Sequence, residues 1–97
     1  MVRNEKPSRE TIRETLTDCL RFLKGSELGE FDESTDVIVG LGLDSQHGVE
    51  LACDLSSRLK IEIPLKENPL IEDGADGRMR SRTFGEVLEY LVALAGE

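Results

Sequence analysis

The sequence predicts an all-α fold, a small helical bundle built around one core. Three segments place apolar residues at steps of three and four, which is the spacing of one helix face. A chain of 97 residues is the size of one domain, and we expect its core to span about residues 8–95 of the single domain 1–97. With no Trp, one Tyr and three Phe, that core must be mainly aliphatic.

The first helix is predicted from about Arg9 to Lys24. Ser8 stands at the N-cap position, and Glu10 lies in the first turn, where the helix dipole favours an acid. Gly25 fits the position just after a helix C-terminus. The predicted apolar face consists of Ile12, Leu16, Cys19, Leu20 and Leu23.

A long loop is predicted over Ser26–Leu43. Its first half is acidic and its second half is apolar. A strand at Val37–Val39 is the competing interpretation, but no second segment of similar quality is available to pair with it. We therefore expect this part of the loop to be irregular and to dock on the helices. The unbalanced acids of the first half are Glu27, Glu30, Asp32, Glu33 and Asp36.

The second helix is predicted from Asp44 or Ser45 to Lys60, followed by an extended segment at Ile61–Pro64, because the residue before a proline disfavours helix. Its apolar arc contains Gly48, Leu51, Ala52, Leu55 and Leu59, with Val49 on the flank. The opposite arc contains Gln46, His47, Glu50, Asp54 and Ser57.

Gly48 lies in the centre of the apolar arc, where glycine costs about 1 kcal/mol relative to alanine. Either another segment packs closely against Gly48 or the glycine leaves space near Ser45.

The last helix is predicted to begin after Thr83. The sequence Thr83-Phe84-Gly85-Glu86 has the spacing of a capping box, in which Glu86 reaches back to the N-cap residue. The connection before it, Leu65–Arg82, contains Pro69, Gly74 and Gly77 and ends in a group of arginines; we expect one short helical turn near Glu67–Glu72. The apolar face of the last helix consists of Phe84, Val87, Leu88, Leu91 and Leu94 or Ala95.

The charge of the chain argues against nucleic acid as a partner. The net charge is -8 and the pI is about 4.6, whereas phosphate backbones attract basic surfaces. This balance favours basic protein partners. The N-terminal residues are charged and no apolar run approaches membrane-spanning length, so we expect a cytoplasmic protein without a signal peptide or membrane segment.

The sequence contains no pattern for catalysis or metal binding. Two cysteines are too few for a disulfide framework and are interpreted as small hydrophobic residues. His47 is the only histidine, and no partner base or nucleophile accompanies it. The acids of the first loop lack the spacing of a calcium loop. We therefore predict no catalytic residue and no metal site.

Ser45 is the main candidate functional residue. The apolar, glycine-rich segment Gly40–Leu43 brings it to the start of the second helix. A serine there usually caps the helix, but Asp44 can take that role and leave the Ser45 hydroxyl available. A phosphate on that hydroxyl would lie at the positive end of the helix dipole, beside unpaired backbone amides. Regulatory phosphorylation would suit the same position.

The surroundings of Ser45 resemble the attachment site of acyl and peptidyl carrier proteins. That family's run is Leu-Gly-x-Asp-Ser-Leu, two variable residues and Val-Glu-Leu, with a helix that ends near Ile-Glu-Ile-Pro. The residues here match in register over Leu41–Leu51 and continue to Ile61–Pro64 without a gap. The segment Thr83–Leu91 also resembles the last helix of the family.

The resemblance implies a four-helix bundle of the acyl carrier protein type, with a long first loop and a short third helix. It implies a monomer that carries 4'-phosphopantetheine on Ser45, with Asp44 as the flanking motif residue. A phosphopantetheinyl transferase would attach the arm from coenzyme A, and a ligase or synthase would load it for downstream enzymes. The partner surface would be Gln46, His47, Glu50, Asp54 and Ser57.

The chain departs from the family beside Ser45. Gln46 replaces a leucine, His47 stands where an acid is common, and the second helix is only weakly acidic. These departures favour a dedicated partner. An acyl carrier and a stand-alone aminoacyl carrier loaded by its own ligase both remain open. An unmodified helical protein-interaction domain is the alternative from another class.

Overall fold

The computed structural model describes residues 7–64, 67–73 and 77–96. In these residues it has three α-helices and a two-stranded antiparallel sheet, and α1 packs against both other helices. The elements are α1 Arg9–Lys24, a 3-10 turn Gly25–Glu27, α2 Ser45–Leu59, β1 Ile71–Asp73, β2 Met79–Ser81 and α3 Phe84–Leu94.

The prediction of a four-helix bundle with a short third helix is wrong. A short strand, β1, follows a turn at Pro69–Leu70, where the sequence suggested a helical turn near Glu67–Glu72. β1 pairs with β2 in the register Ile71↔Ser81. Residues 65–66 and 74–76 of the predicted connection, which include Gly74, lie outside the described residues.

Two hydrogen bonds, one local and one to a residue distant in sequence, explain why this segment forms a hairpin rather than a helix. The Asn68 side-chain oxygen accepts a hydrogen bond from the Leu70 amide at 2.9 Å and closes a turn around Pro69. The Leu70 carbonyl then accepts from the Arg82 amide at 2.9 Å, which aligns the two strands. These bonds engage backbone groups that a helical turn would use within itself.

The predicted helix starts are confirmed together with their caps. The Ser8 hydroxyl accepts a hydrogen bond from the Thr11 amide at 3.1 Å. The Thr83 hydroxyl accepts from the Glu86 amide at 3.2 Å, and the Glu86 carboxylate accepts from the Thr83 amide at 2.9 Å. Each of these caps satisfies amides that would otherwise have no partner in the first helical turn.

The first loop is irregular at Val37–Val39, as predicted, and docks on the start of α3. Asp36 organises it: one carboxylate oxygen accepts from the Ile38 and Val39 amides, both at 2.8 Å. The other oxygen accepts from the Ser81 hydroxyl at 2.5 Å. Asp36 also forms an isolated β-bridge with Thr83, so the loop is fixed between the hairpin and α3.

The core is aliphatic apart from one Cys and one aromatic ring, Phe84, which stacks at an angle on Phe31 with 4.9 Å between ring centroids. All three helices and the first loop contribute to it. Its buried hydrophobic residues are Ile12, Leu16, Cys19, Leu20, Val37, Leu41, Leu43, Leu51, Leu55, Leu59, Ile63, Leu70, Phe84, Val87, Leu88, Leu91 and Ala95.

Candidate functional site

The loop that precedes Ser45 is anchored in the core. Leu41 and Leu43 are buried, and Gly42 between them has a φ of 74°, a left-handed conformation that favours glycine. The loop therefore delivers Asp44 and Ser45 to the start of α2 from a fixed position.

Asp44 caps α2 through a reciprocal pair of bonds with His47. The Asp44 carboxylate accepts from the His47 amide at 2.9 Å, and His47 Nδ1 accepts from the Asp44 amide at 3.1 Å. The bond from the His47 amide lowers the pKa of Asp44. Because Nδ1 accepts here, the neutral imidazole carries its proton on Nε2. His47 is thus a capping residue of α2.

Ser45 is the first residue of α2 and is exposed. Because Asp44 is the N-cap, the Ser45 hydroxyl is not needed for capping, and it forms no hydrogen bond to any of the described residues. It lies at the end of the helix where backbone amides point outward. The hydroxyl is therefore accessible to another molecule, next to groups that favour a negative charge.

A side chain from the connection before the hairpin contacts the Ser45 backbone. Asn68 Nδ2 donates a hydrogen bond to the Ser45 main-chain oxygen at 3.1 Å. Gly48 makes this approach possible, because a Cβ at that position would lie 2.0 Å from Asn68 Oδ1. Of the two interpretations of Gly48, close packing by another segment is therefore confirmed.

The segment around Asn68 is tied to α3 on its far side. Arg82 Nη1 donates to the Pro69 carbonyl at 3.3 Å, and its guanidinium lies 4.2 Å from the centroid of the Tyr90 ring. The Tyr90 hydroxyl donates to the Glu67 carboxylate at 2.5 Å. Burial of the phenol, followed by this bond, raises the pKa of Tyr90. Asn68 is thus held between the first turn of α2 and the middle of α3.

The predicted partner surface lies on α2 but is not uniformly exposed. Gln46, Glu50 and Ser57 are exposed, whereas His47 is half-buried in its capping bonds. Asp54 is half-buried and forms an ion pair with Arg58, with 3.0 Å between Oδ1 and Nε. This pair neutralises one of the acids of the helix.

A row of exposed residues without charge continues from Ser45 along α2. Val49, which was expected on the flank of the buried arc, is 60% exposed, and Cys53 is also exposed. Both follow Ser45 at steps of four and therefore share its face of the helix. The other cysteine, Cys19, is buried, and burial raises the pKa of its thiol to about 12.

Sequence reasoning missed Asn68. Its partners are two backbone groups, one of them 23 residues away, and no local pattern announces such bonds. The available signal was Gly48, whose place in the apolar arc indicated either a closely packed segment or space near Ser45, without naming a neighbour.

No family model, curated protein or solved structure matches the chain. Within residues 7–64, 67–73 and 77–96, His, Cys, Asp and Glu form no cluster of three that could hold a metal ion. In the same part of the chain, every helix is too short or too polar to cross a bilayer.

Proposed function

We propose that the chain is a carrier protein that holds an acyl or aminoacyl group on a 4'-phosphopantetheine arm attached to Ser45. The observation that carries the proposal is the Ser45 hydroxyl, exposed at the start of α2 and released from capping by Asp44. The ungapped resemblance over Leu41–Pro64 supports the same assignment. The chain itself catalyses no reaction in this proposal.

The surroundings of Ser45 fit a permanently attached phosphodiester. Its negative charge would lie at the positive end of the α2 dipole, and no hydrogen bond within the described part of the chain occupies the hydroxyl. In the attachment step the Ser45 oxygen bonds to the coenzyme A phosphorus that carries the pantetheine, and 3',5'-ADP leaves. The phosphoanhydride bond to the adenosine half breaks, and the hydroxyl proton passes to the transferase. The bound arm supplies a terminal thiol that holds the cargo as a thioester.

The proposal depends on the first turn of α2 and not on the number of helices. The elements that present Ser45 are the buried Leu41 and Leu43, the cap Asp44 and the apolar side of α2. The paired strands β1 and β2 lie in the segment where the resemblance implied a third helix. Enzymes that recognise the third helix of carrier proteins would therefore contact a different surface on this chain.

The partner surface is proposed to be Gln46, His47, Glu50, Asp54 and Ser57, close to Ser45 on α2. Because Asp54 pairs with Arg58, this surface presents little net charge to a basic partner. Val49 adds exposed apolar area one turn from Ser45. A surface of low net charge attracts a partner only weakly over long distances, so recognition would depend on direct contacts and shape. This suits a dedicated ligase or synthase. Acyl and aminoacyl cargo remain alternative versions of the proposal.

Intact-mass measurement after co-expression with a broad-specificity phosphopantetheinyl transferase tests the function. A carrier should gain the mass of one arm, and the gain should disappear in a strain without the transferase. A chain that stays unmodified with several transferases would instead be an unmodified helical interaction domain, the alternative from another class.

A further inference from the structure

We infer that Asn68 is a positioning residue for Ser45, which holds the first turn of α2 in the conformation that a transferase requires. The inference rests on the proposed function of Ser45. Asn68 does not touch the hydroxyl itself; it acts through the main-chain oxygen of the same residue, 3.1 Å from its Nδ2.

The bond between Asn68 and Ser45 lies in the first turn of α2, at the end of a helix. Helical geometry assigns the Ser45 oxygen to the amide four residues later, so the Asn68 amide group provides a second donor to one of the first carbonyls of α2. Helix ends open more readily than helix centres, because fewer bonds hold them. A side chain bonded to the backbone of the first residue limits this opening at the position that carries the reactive hydroxyl.

Asn68 is itself fixed in orientation. Its Oδ1 accepts from the Leu70 amide at 2.9 Å while its Nδ2 donates to the Ser45 oxygen, so both ends of the amide are used and neither can be exchanged for the other. Gly48 removes the Cβ that would displace it. Such a side chain can determine where the backbone of Ser45 lies, because a change in its position would break both bonds.

The support continues into α3. Pro69 is held by Arg82, whose guanidinium lies over Tyr90, and Tyr90 in turn holds Glu67. Glu67 and Pro69 are the chain neighbours of Asn68, and Tyr90 and Arg82 hold them in place. Residues 67–70 therefore connect α3 to the first turn of α2. How rigidly these residues are held determines how precisely Ser45 is positioned.

The sharpest variant is Asn68→Asp. It keeps the shape of the side chain and an acceptor for the Leu70 amide, but it replaces the donor to the Ser45 oxygen with a carboxylate oxygen. Asn68→Ala is the second variant and removes both bonds. Thr11→Asp, at an exposed position in the first turn of α1, adds the same charge at the opposite end of that helix from Lys24, which contacts Gly42, and serves as the control.

Two measurements are made on each protein. The first is the initial rate of modification with coenzyme A and one transferase that modifies the wild type, over a range of carrier concentrations. The second is amide hydrogen exchange by NMR, comparing the first turn of α2 with its last turn. All assays run well below the melting temperature, so that each variant is folded.

We expect Asn68→Asp and Asn68→Ala to lower kcat about fivefold, as the loss of one neutral hydrogen bond would, with a smaller change in KM. Amides in the first turn of α2 should exchange faster, and those in its last turn should not change. Thr11→Asp should behave as the wild type.

Unchanged kcat and unchanged exchange in both Asn68 variants, with a wild type that is modified, would overturn the inference and leave the proposed function intact. Uniformly faster exchange along all of α2 would also overturn it, because Asn68 would then be a general stability residue. A wild type that no transferase modifies would overturn the proposed function and the inference together.

Discussion

The side-chain amide of Asn68 donates a hydrogen bond to the main-chain oxygen of Ser45, across 23 residues of sequence, at 3.1 Å. This contact joins the segment before the hairpin to the first turn of α2. It also explains Gly48, because any Cβ there would occupy the space of the Asn68 amide group. Gly48 therefore provides the space in which Asn68 packs next to the candidate attachment site.

The Gly48–Asn68 pair predicts a non-additive effect on stability. In an Asn68→Ala background, Gly48→Ala should raise the free energy of unfolding by about 1 kcal/mol, because alanine favours helix. With Asn68 present, the same substitution should lower it by about 1 kcal/mol, because Asn68 must leave and lose two hydrogen bonds. Urea denaturation of the four proteins measures the difference.

Gly29→Ala is a suitable control for this cycle, since its Cβ would meet nothing within 4 Å. Equal effects of Gly48→Ala in the two backgrounds would show that Asn68 does not pack on Gly48 in solution.

Thr83 is predicted to contribute about 1 kcal/mol through its cap on α3. Thr83→Ala removes the acceptor of the Glu86 amide, which lies 3.2 Å from the Thr83 hydroxyl. Chemical denaturation should show a lower midpoint with an unchanged slope. The same midpoint as the wild type would mean that the cap adds nothing to stability.

The helices could be predicted from sequence because their signals are local. Ser8, Asp44 and Thr83 each bond to an amide three residues away, and the apolar residues that follow recur at helical spacing. The irregular path at Val37–Val39 was also predictable, since no segment of matching character was available to pair with it.

The hairpin could not be predicted because the bonds that align its strands join residues distant in sequence. β1 and β2 have three residues each, include charged side chains and lack a clear alternation of apolar residues. Their alignment depends on the Leu70–Arg82 bond and on Asp36, which contacts Ser81 45 positions later. The resemblance to carrier proteins predicted a helix there, but these tertiary bonds stabilise two paired strands instead.

Asp36 predicts an acid-sensitive first loop. Its pKa is lowered, first by the bond from the Ser81 hydroxyl and then by the amides of Val39 and Ile38. On acidification the unfolded chain binds a proton near the ordinary pKa of about 3.9, while the folded carboxylate remains charged. Its stabilisation is therefore present above that pH and is lost as the pH falls through the lower, folded pKa.

Asp36→Asn removes this titration. The variant should be less stable than the wild type at neutral pH, and its stability should fall less steeply between about pH 5 and pH 2. Thermal unfolding across this range provides the comparison. Parallel curves for the two proteins would exclude Asp36 as a source of the acid sensitivity.

The partner surface predicts a loss of loading without a loss of folding. Gln46→Arg places a charge beside Ser45 and should reduce loading by the cognate ligase or synthase about tenfold. Asp54→Arg should act similarly and also breaks the pair with Arg58. Because the surface is nearly neutral, loading of the wild type should survive moderate salt.

Loading rates are measured on the arm-bearing proteins, with Ser26→Arg as the control for added charge. Normal loading of both variants would place recognition elsewhere, for example in the arginine-containing segment Arg78–Arg82.

The Ser45 oxygen is proposed to carry the arm. The most direct measurement incubates purified wild type, Ser45→Ala and Ser56→Ala with coenzyme A, Mg²⁺ and a promiscuous phosphopantetheinyl transferase, and records intact masses. Ser56 lies on the same helix and controls for the loss of a hydroxyl. The wild type and Ser56→Ala should each gain one arm, and Ser45→Ala should gain none. Modification of Ser45→Ala would show that the arm is attached elsewhere, and an unmodified wild type with several transferases would show that the chain is not a carrier.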